Sequence, residues 1–93
     1  MEEKIRAHLI IEGRVHGVCF RAFVRDIARR SDVRGWVKNL SNGDVEAVLE
    51  GDRKEVGIVV ANCYKGPPGS LVTNISIKWE AYTGTAGPFS ITY

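Results

Sequence analysis

The sequence predicts an α+β domain in which two helices cover one face of a mainly antiparallel sheet. Three observations lead there. Residues 4–12, 45–50 and 71–80 alternate apolar and polar side chains, the period of a half-buried strand. Residues 20–28 and 56–63 instead space their apolar side chains three and four apart, the period of an amphipathic helix. Glycine, asparagine and proline punctuate the joins, which sets the order βαββαβ with one short strand after it.

In the first strand Ile5, Ala7, Leu9 and Ile11 alternate with Arg6, His8 and Glu12, with Ile10 the one apolar exception. The Ile5 face is expected to be buried. The first helix begins at Phe20, and Phe20, Phe23, Val24, Ile27 and Ala28 form its apolar stripe. Arg21, Arg25, Arg29 and Arg30 fall mostly on other faces. The helix is expected to end near Ser31 or Asp32, where basic residues suit its dipole; Arg21 at its start does not, which suggests an anion nearby.

A second strand over residues 33–40 contains Trp36 and Val37 and runs into a hairpin at Ser41-Asn42-Gly43, where Asn-Gly supports positive φ. Val45, Ala47 and Leu49 then alternate with Glu46, Val48 and Glu50 on a third strand. Gly51-Asp52 ends it and offers Asp52 as a cap for the second helix. Val56, Val59, Val60 and Cys63 are that helix's stripe. Its β-branched residues weaken helix propensity, but strand alternation fits the segment worse. Gly66-Pro67-Pro68-Gly69 stops it. Leu71, Thr73, Ile75, Ile77 and Trp79 mark a long fourth strand, residues 83–88 a loop, and Phe89, Ile91 and Tyr93 a short final strand. This order is the split βαβ, or ferredoxin-like, sandwich. The arrangement hosts enzymes, RNA binders and metal chaperones, so function must come from particular residues.

Length and charge narrow the classes. The chain's 93 residues, 44% of them hydrophobic, suit a single domain over residues 1–93 with one modest core. A net charge of +2 does not by itself argue for a nucleic-acid surface. The start, Met1-Glu2-Glu3-Lys4, mixes both signs of charge and does not read as a secretory leader, and no apolar run approaches membrane length. A cytoplasmic setting is expected, and there Cys19 and Cys63 stay reduced. Their spacing matches neither a C-x-x-C pair nor a metal cluster.

The stretch Gly13-Arg14-Val15-His16-Gly17-Val18-Cys19-Phe20-Arg21 joins the first strand to the first helix. Its glycines let backbone N–H groups turn toward a ligand. The helix start adds unpaired N–H groups and a positive partial charge. Phosphate is the fitting guest of such a cradle. Taken alone, the loop also reads as an ordinary connection with glycine turns and a solvated arginine. Other phosphate signatures are absent: the chain has no G-x-x-x-x-G-K-[ST] and no G-x-G-x-x-G. Cys19 lies too close to Arg21 for a cysteine phosphatase loop. It reads better as a small, partly buried packing residue than as an activated thiol. His16 stays open between a phosphate donor and an uninvolved loop residue. His8, on a strand, reads as structural or merely exposed. Arg21 stands where its planar fork can grip phosphate oxygens. Asn39, ending the second strand, is either a turn residue or a neutral amide that orients a water. An amide would not repel a phosphate, as Asp44, Glu46 and Glu50 would.

These stretches resemble the acylphosphatase family. Gly13 to Arg21 is similar to its loop G-R-V-Q-G-V-x-F-R. Gly35-Trp36-Val37-Lys38-Asn39 is similar to its motif G-W-V-x-N, and a glycine hairpin follows here too. Glu50-Gly51, Gly66-Pro67-Pro68-Gly69 and the aromatic C-terminus extend the resemblance over nearly the whole chain. His16 stands at the family's usual Gln, and Cys19 where Gly is frequent; a positive φ at position 19 would strain Cys19.

The resemblance implies hydrolysis of the carboxyl-phosphate mixed anhydride of acyl phosphates to carboxylate and inorganic phosphate. It implies that the amides of Arg14, Val15, His16, Gly17, Val18, Cys19 and Phe20, together with Arg21, hold the phosphoryl group. It implies that Asn39 positions the attacking water. No metal, no other cofactor and no covalent intermediate is called for. The expected partners are a small-molecule acyl phosphate, and inorganic phosphate as product and competitive inhibitor. Neither nucleic acid nor membrane is expected, and the protein is expected to be a monomer. An RNA-recognition module shares the element order but needs exposed aromatics on the first and third strands. His8-Leu9-Ile10-Ile11-Glu12 and Asp44-Val45-Glu46-Ala47-Val48-Leu49-Glu50 carry none. A non-catalytic domain of the same family, as in larger carbamoyl-handling maturation proteins, is the other alternative; a chain ending at Tyr93 is expected to disfavour it, unless the chain is an excised fragment.

Overall fold

The computed structural model describes residues 3–93. Met1 and Glu2, part of the charged start considered above, lie outside the described residues. The elements are β1 (Lys4–Arg14), α1 (Phe20–Arg30), β2 (Arg34–Asn39), β3 (Val45–Asp52), α2 (Arg53–Lys65), β4 (Leu71–Glu80) and β5 (Ser90–Ile91). The strands form one sheet in the order β4-β1-β3-β2-β5. Neighbours are antiparallel except β2 and β5, which run parallel. This is the ferredoxin-like sandwich that the sequence predicts, with β5 added at one edge.

The core lies between the sheet and the helices. Ile5, Ala7, Leu9 and Ile11 of β1 meet Val24, Ile27 and Ala28 of α1 and Val56, Val59, Val60 and Cys63 of α2. The four buried residues of α2 are its predicted stripe. Burying a Val, Leu, Ile or Phe side chain contributes about 1.5–3 kcal/mol, so this shared face holds the helices down. α1 closes where its stripe runs out. Asp32 takes φ 55, and the Val33 N–H donates to the Ala28 carbonyl at 2.8 Å. The Asp32 N–H donates to the Arg29 carbonyl at 3.3 Å, completing a Schellman end.

Several local details differ from the alternation alone. Asp52 stands at the N-cap of α2, yet its carboxylate makes no cap bond and is held by Lys4 Nζ at 3.1 Å. An ion pair across the β1–β3 register replaces the expected cap. The register of β1 with β4 shifts between Glu12 and Gly13, which leaves Thr73 without a partner and sets Val72 opposite Gly13, so Val72 packs on the core while Leu71 and Thr73 are exposed. Only glycine fits at this shift: a Cβ on Gly13 would lie 2.0 Å from the Leu71 carbonyl oxygen. Trp79, at the far end of this edge strand, is also exposed. The final strand shrinks to Ser90–Ile91, with Phe89 buried before it and Tyr93 exposed after it.

The β2–β3 hairpin has three loop residues. The Leu40 N–H donates to the Asp44 carbonyl at 2.8 Å, and the Gly43 N–H donates to the Leu40 carbonyl at 3.2 Å. Gly43 takes the positive φ, 99°; Asn42 does not, and its Oδ1 accepts the Asp44 N–H at 3.0 Å instead.

The segment from β4 to β5 must cross the sheet from edge to edge, and Glu50 fixes its path. Glu50 Oε2 accepts the Thr83 hydroxyl at 2.7 Å, the Thr83 N–H at 2.8 Å and Arg6 at 3.2 Å. Burial pushes the Glu50 carboxyl pKa up. The Thr83 and Arg6 donors outweigh that and hold it below the usual carboxylate range.

Candidate active site

Three segments meet where β1 and β2 end: the loop of residues 15–19, the first turn of α1, and Asn39. A cavity of about 360 Å³ opens there, lined by Val15, Gly17, Cys19, Phe20, Arg21, Ala22, Asn39 and Ile91.

The loop is held at its ends. Val15 and Phe20 are buried in the core, and between them His16, Gly17 and Cys19 are exposed. Cys19 is the N-cap of α1 with φ 59 and ψ 29, and offers no capping side chain. Among the described residues, no carbonyl or side chain accepts the N–H groups of residues 15–22; the first bond of the helix runs from the Phe23 N–H to the Cys19 carbonyl at 3.0 Å. No acidic residue stands in the first turn. Unpartnered donors, a helix start and Arg21 therefore give this end of the molecule a positive potential.

Arg21 is partly buried, and its guanidinium carbon lies 5.1 Å from the centre of the Tyr93 ring. Among the described residues no carboxylate pairs with Arg14 or Arg21. Asn39 ends β2 opposite Val45, and its side chain is exposed at the cavity. Of the residues singled out in the sequence, Val15, Gly17, Cys19, Phe20, Arg21 and Asn39 thus come together. Arg14, His16 and Val18 do not line the cavity: Arg14 is exposed at the end of β1, Val18 packs against the core, and His16 Nε2 reaches the Asp44 carbonyl oxygen at 3.1 Å.

Cys19 is exposed, not the partly buried packing residue that its size and type suggest. The left-handed turn sets its side chain at the cavity while Phe20 takes the place in the core. Such a turn costs a non-glycine residue roughly 1–2 kcal/mol. Cys63 is buried, and burial pushes its thiol up to about 12. The strand acids stay away from the cavity: Glu46 lies 2.6 Å from His8 Nε2 and 3.8 Å from Lys38 Nζ, and Glu50 is held by Thr83 and Arg6. Among the described residues, no group of His, Cys, Asp and Glu is placed to hold a metal ion. No helix described is long and apolar enough to cross a membrane.

Ala22, Ile91 and Tyr93 join the site without a warning in the sequence. Ala22 simply follows Arg21. Ile91 and Tyr93 arrive because β5 pairs in parallel with β2, Ile91 beside Val37, a long-range pairing with no local mark.

The sequence model of the acylphosphatase family matches residues 7–91. The chain is 48% identical over 91 residues to an acylphosphatase of Anaeromyxobacter sp., covering 98% of each chain. It is 49% identical over 89 residues to an acylphosphatase of Chloroflexus aurantiacus, covering 96% of this chain and 97% of the other. The fold matches the crystal structure of acylphosphatase from Bacillus subtilis with a TM-score of 0.93 at 37% identity, over 96% of this chain and 99% of that one. With likeness of this extent in sequence and in fold, the chain belongs to the acylphosphatase family.

Proposed function

We propose that the protein hydrolyses acyl phosphates to a carboxylate and inorganic phosphate. The observation that carries this reading is the convergence of Arg21, Asn39 and the unpartnered cradle on one cavity. In the proposed mechanism, phosphoryl oxygens accept hydrogen bonds from the amides of residues 14–20 and from the Arg21 fork. Asn39 accepts a hydrogen bond from a water and holds it for in-line attack on phosphorus. The bond from the water oxygen to phosphorus forms as the bond from phosphorus to the acyl oxygen breaks. The carboxylate leaves with the electron pair, and the water's surplus proton passes to phosphate or solvent. A carboxylate is a good leaving group, so positioning and charge stabilisation supply most of the rate, and no strong base is required. The reading takes the protein as a cytoplasmic monomer acting on a small molecule, with phosphate as product and competitive inhibitor.

Incubation with benzoyl phosphate, with and without exhaustive chelation, tests it. Hydrolysis at the same rate in both is expected. Activity lost to the chelator and restored by magnesium would overturn the metal-free mechanism, and absence of hydrolysis would overturn the function. Single-stranded RNA in a parallel binding measurement should not bind.

A further inference from the structure

The Asp44 carbonyl oxygen accepts two hydrogen bonds, one from the hairpin and one from the loop before α1. One comes from the Leu40 N–H, directly after Asn39, at 2.8 Å. The other comes from His16 Nε2, in the middle of the cradle, at 3.1 Å. Since the acceptor is a carbonyl, Nε2 carries the proton. Asp44 is itself fixed: its N–H donates to Asn42 Oδ1 at 3.0 Å, and its carboxylate accepts from Asn42 Nδ2 at 3.1 Å. The cradle needs such support, because the N–H groups of residues 15–22 make no bond within the described chain. Among the described residues, apart from its buried ends and Val18 on the core, the loop is tethered by the His16 side chain.

We propose that His16 is a positioning residue, whose side chain fixes the phosphate cradle relative to Asn39 by bonding the hairpin that carries it. This rests on the functional reading above and deepens it. The His16 side chain does not line the cavity, so it acts through Asp44 and not on the substrate. The cradle would still bind phosphate without it. What is lost is the alignment of that phosphate with the water on Asn39, and a small misplacement of reacting groups lowers rate more than it weakens binding.

The test compares wild type, His16→Leu and His16→Gln. His16 is exposed, so neither change disturbs the core. His16→Leu removes the donor; His16→Gln supplies an amide N–H that can reach the same carbonyl. Three readouts are needed: steady-state hydrolysis of benzoyl phosphate, inhibition by inorganic phosphate, and the amide resonance of Leu40, which shares the acceptor. His16→Leu is expected to lower kcat about tenfold while phosphate inhibition stays within about twofold, and to shift the Leu40 resonance. His16→Gln is expected to restore most of the kcat and return the resonance toward its wild-type position. A His16→Leu protein with wild-type kcat would overturn the proposal, as would a His16→Gln protein as slow as His16→Leu. Phosphate inhibition weakened in step with kcat would also overturn it, by making His16 a direct phosphate ligand. Wild type inactive toward benzoyl phosphate would defeat the functional reading and this proposal with it; active wild type beside an equally active His16→Leu defeats the proposal alone.

Discussion

The guanidinium carbon of Arg21 stacks 5.1 Å from the centre of the Tyr93 ring, although Tyr93 is 95% exposed. β5 brings the ring there, since the Thr92 N–H donates to the Val37 carbonyl at 2.8 Å and Ile91 pairs with Val37. An exposed contact of this kind contributes about 0.5–1 kcal/mol, enough to bias the rotamers of a flexible arginine.

Tyr93→Leu is therefore expected to weaken inhibition by phosphate roughly two- to fivefold, while Tyr93→Phe, which keeps a ring face, stays near wild type. Inhibition constants for the two variants check this. An unchanged constant in Tyr93→Leu would separate the ring from the site.

Glu50 predicts how the fold responds to acid. Burial raises its pKa, but the Thr83 and Arg6 donors bring it below the usual carboxylate range. A group depressed in the folded state contributes stability in full above its unfolded pKa and loses it as pH falls through the folded value. Glu50→Gln keeps the shape and gives up charge-assisted bonds, which costs on the order of 2 kcal/mol at neutral pH. Its melting temperature should lie several degrees below wild type at pH 7, with the gap closing toward pH 3. Melting curves across that range check this, and a constant gap would contradict it.

Cys19 sits at φ 59, where glycine carries no steric cost. Cys19→Gly is expected to stabilise the fold by about 1 kcal/mol and to keep substantial activity, because no step in the proposed mechanism uses the thiol. Thiol labelling of the native protein should modify Cys19 alone, since Cys63 is buried and its thiolate is disfavoured. Complete loss of activity in folded Cys19→Gly would contradict the water-attack mechanism.

The helices and central strands are legible because burial follows period. Ile5, Ala7, Leu9 and Ile11, and the four-residue stripe of α2, are buried as their spacing predicts. The loop, helix start and strand end that frame the cavity are marked by Gly13, Arg21 and Asn39. What stayed hidden depends on partners distant in sequence. Asp52 gave up its cap to Lys4, and the register shift at Gly13 moved Val72 onto the core in place of Leu71. Tyr93 reached Arg21 only through a two-residue parallel pairing. Cys19 departs from its expected packing because residue type reports packing tendency, whereas the left-handed turn before α1 decides its exposure.

In the proposed mechanism Asn39 holds the attacking water while Arg21 and the cradle hold the phosphate. The most direct test is steady-state hydrolysis of benzoyl phosphate by Asn39→Ala, measured beside phosphate inhibition and thermal melting, with Arg21→Lys as the contrast. Asn39→Ala is expected to stay folded, to bind phosphate nearly as wild type does, and to lose about a hundredfold or more in kcat. Arg21→Lys keeps the charge but not the planar fork, so it should weaken phosphate inhibition as well as turnover. A folded Asn39→Ala protein with near-wild-type kcat would make Asn39 a turn residue only and contradict the account.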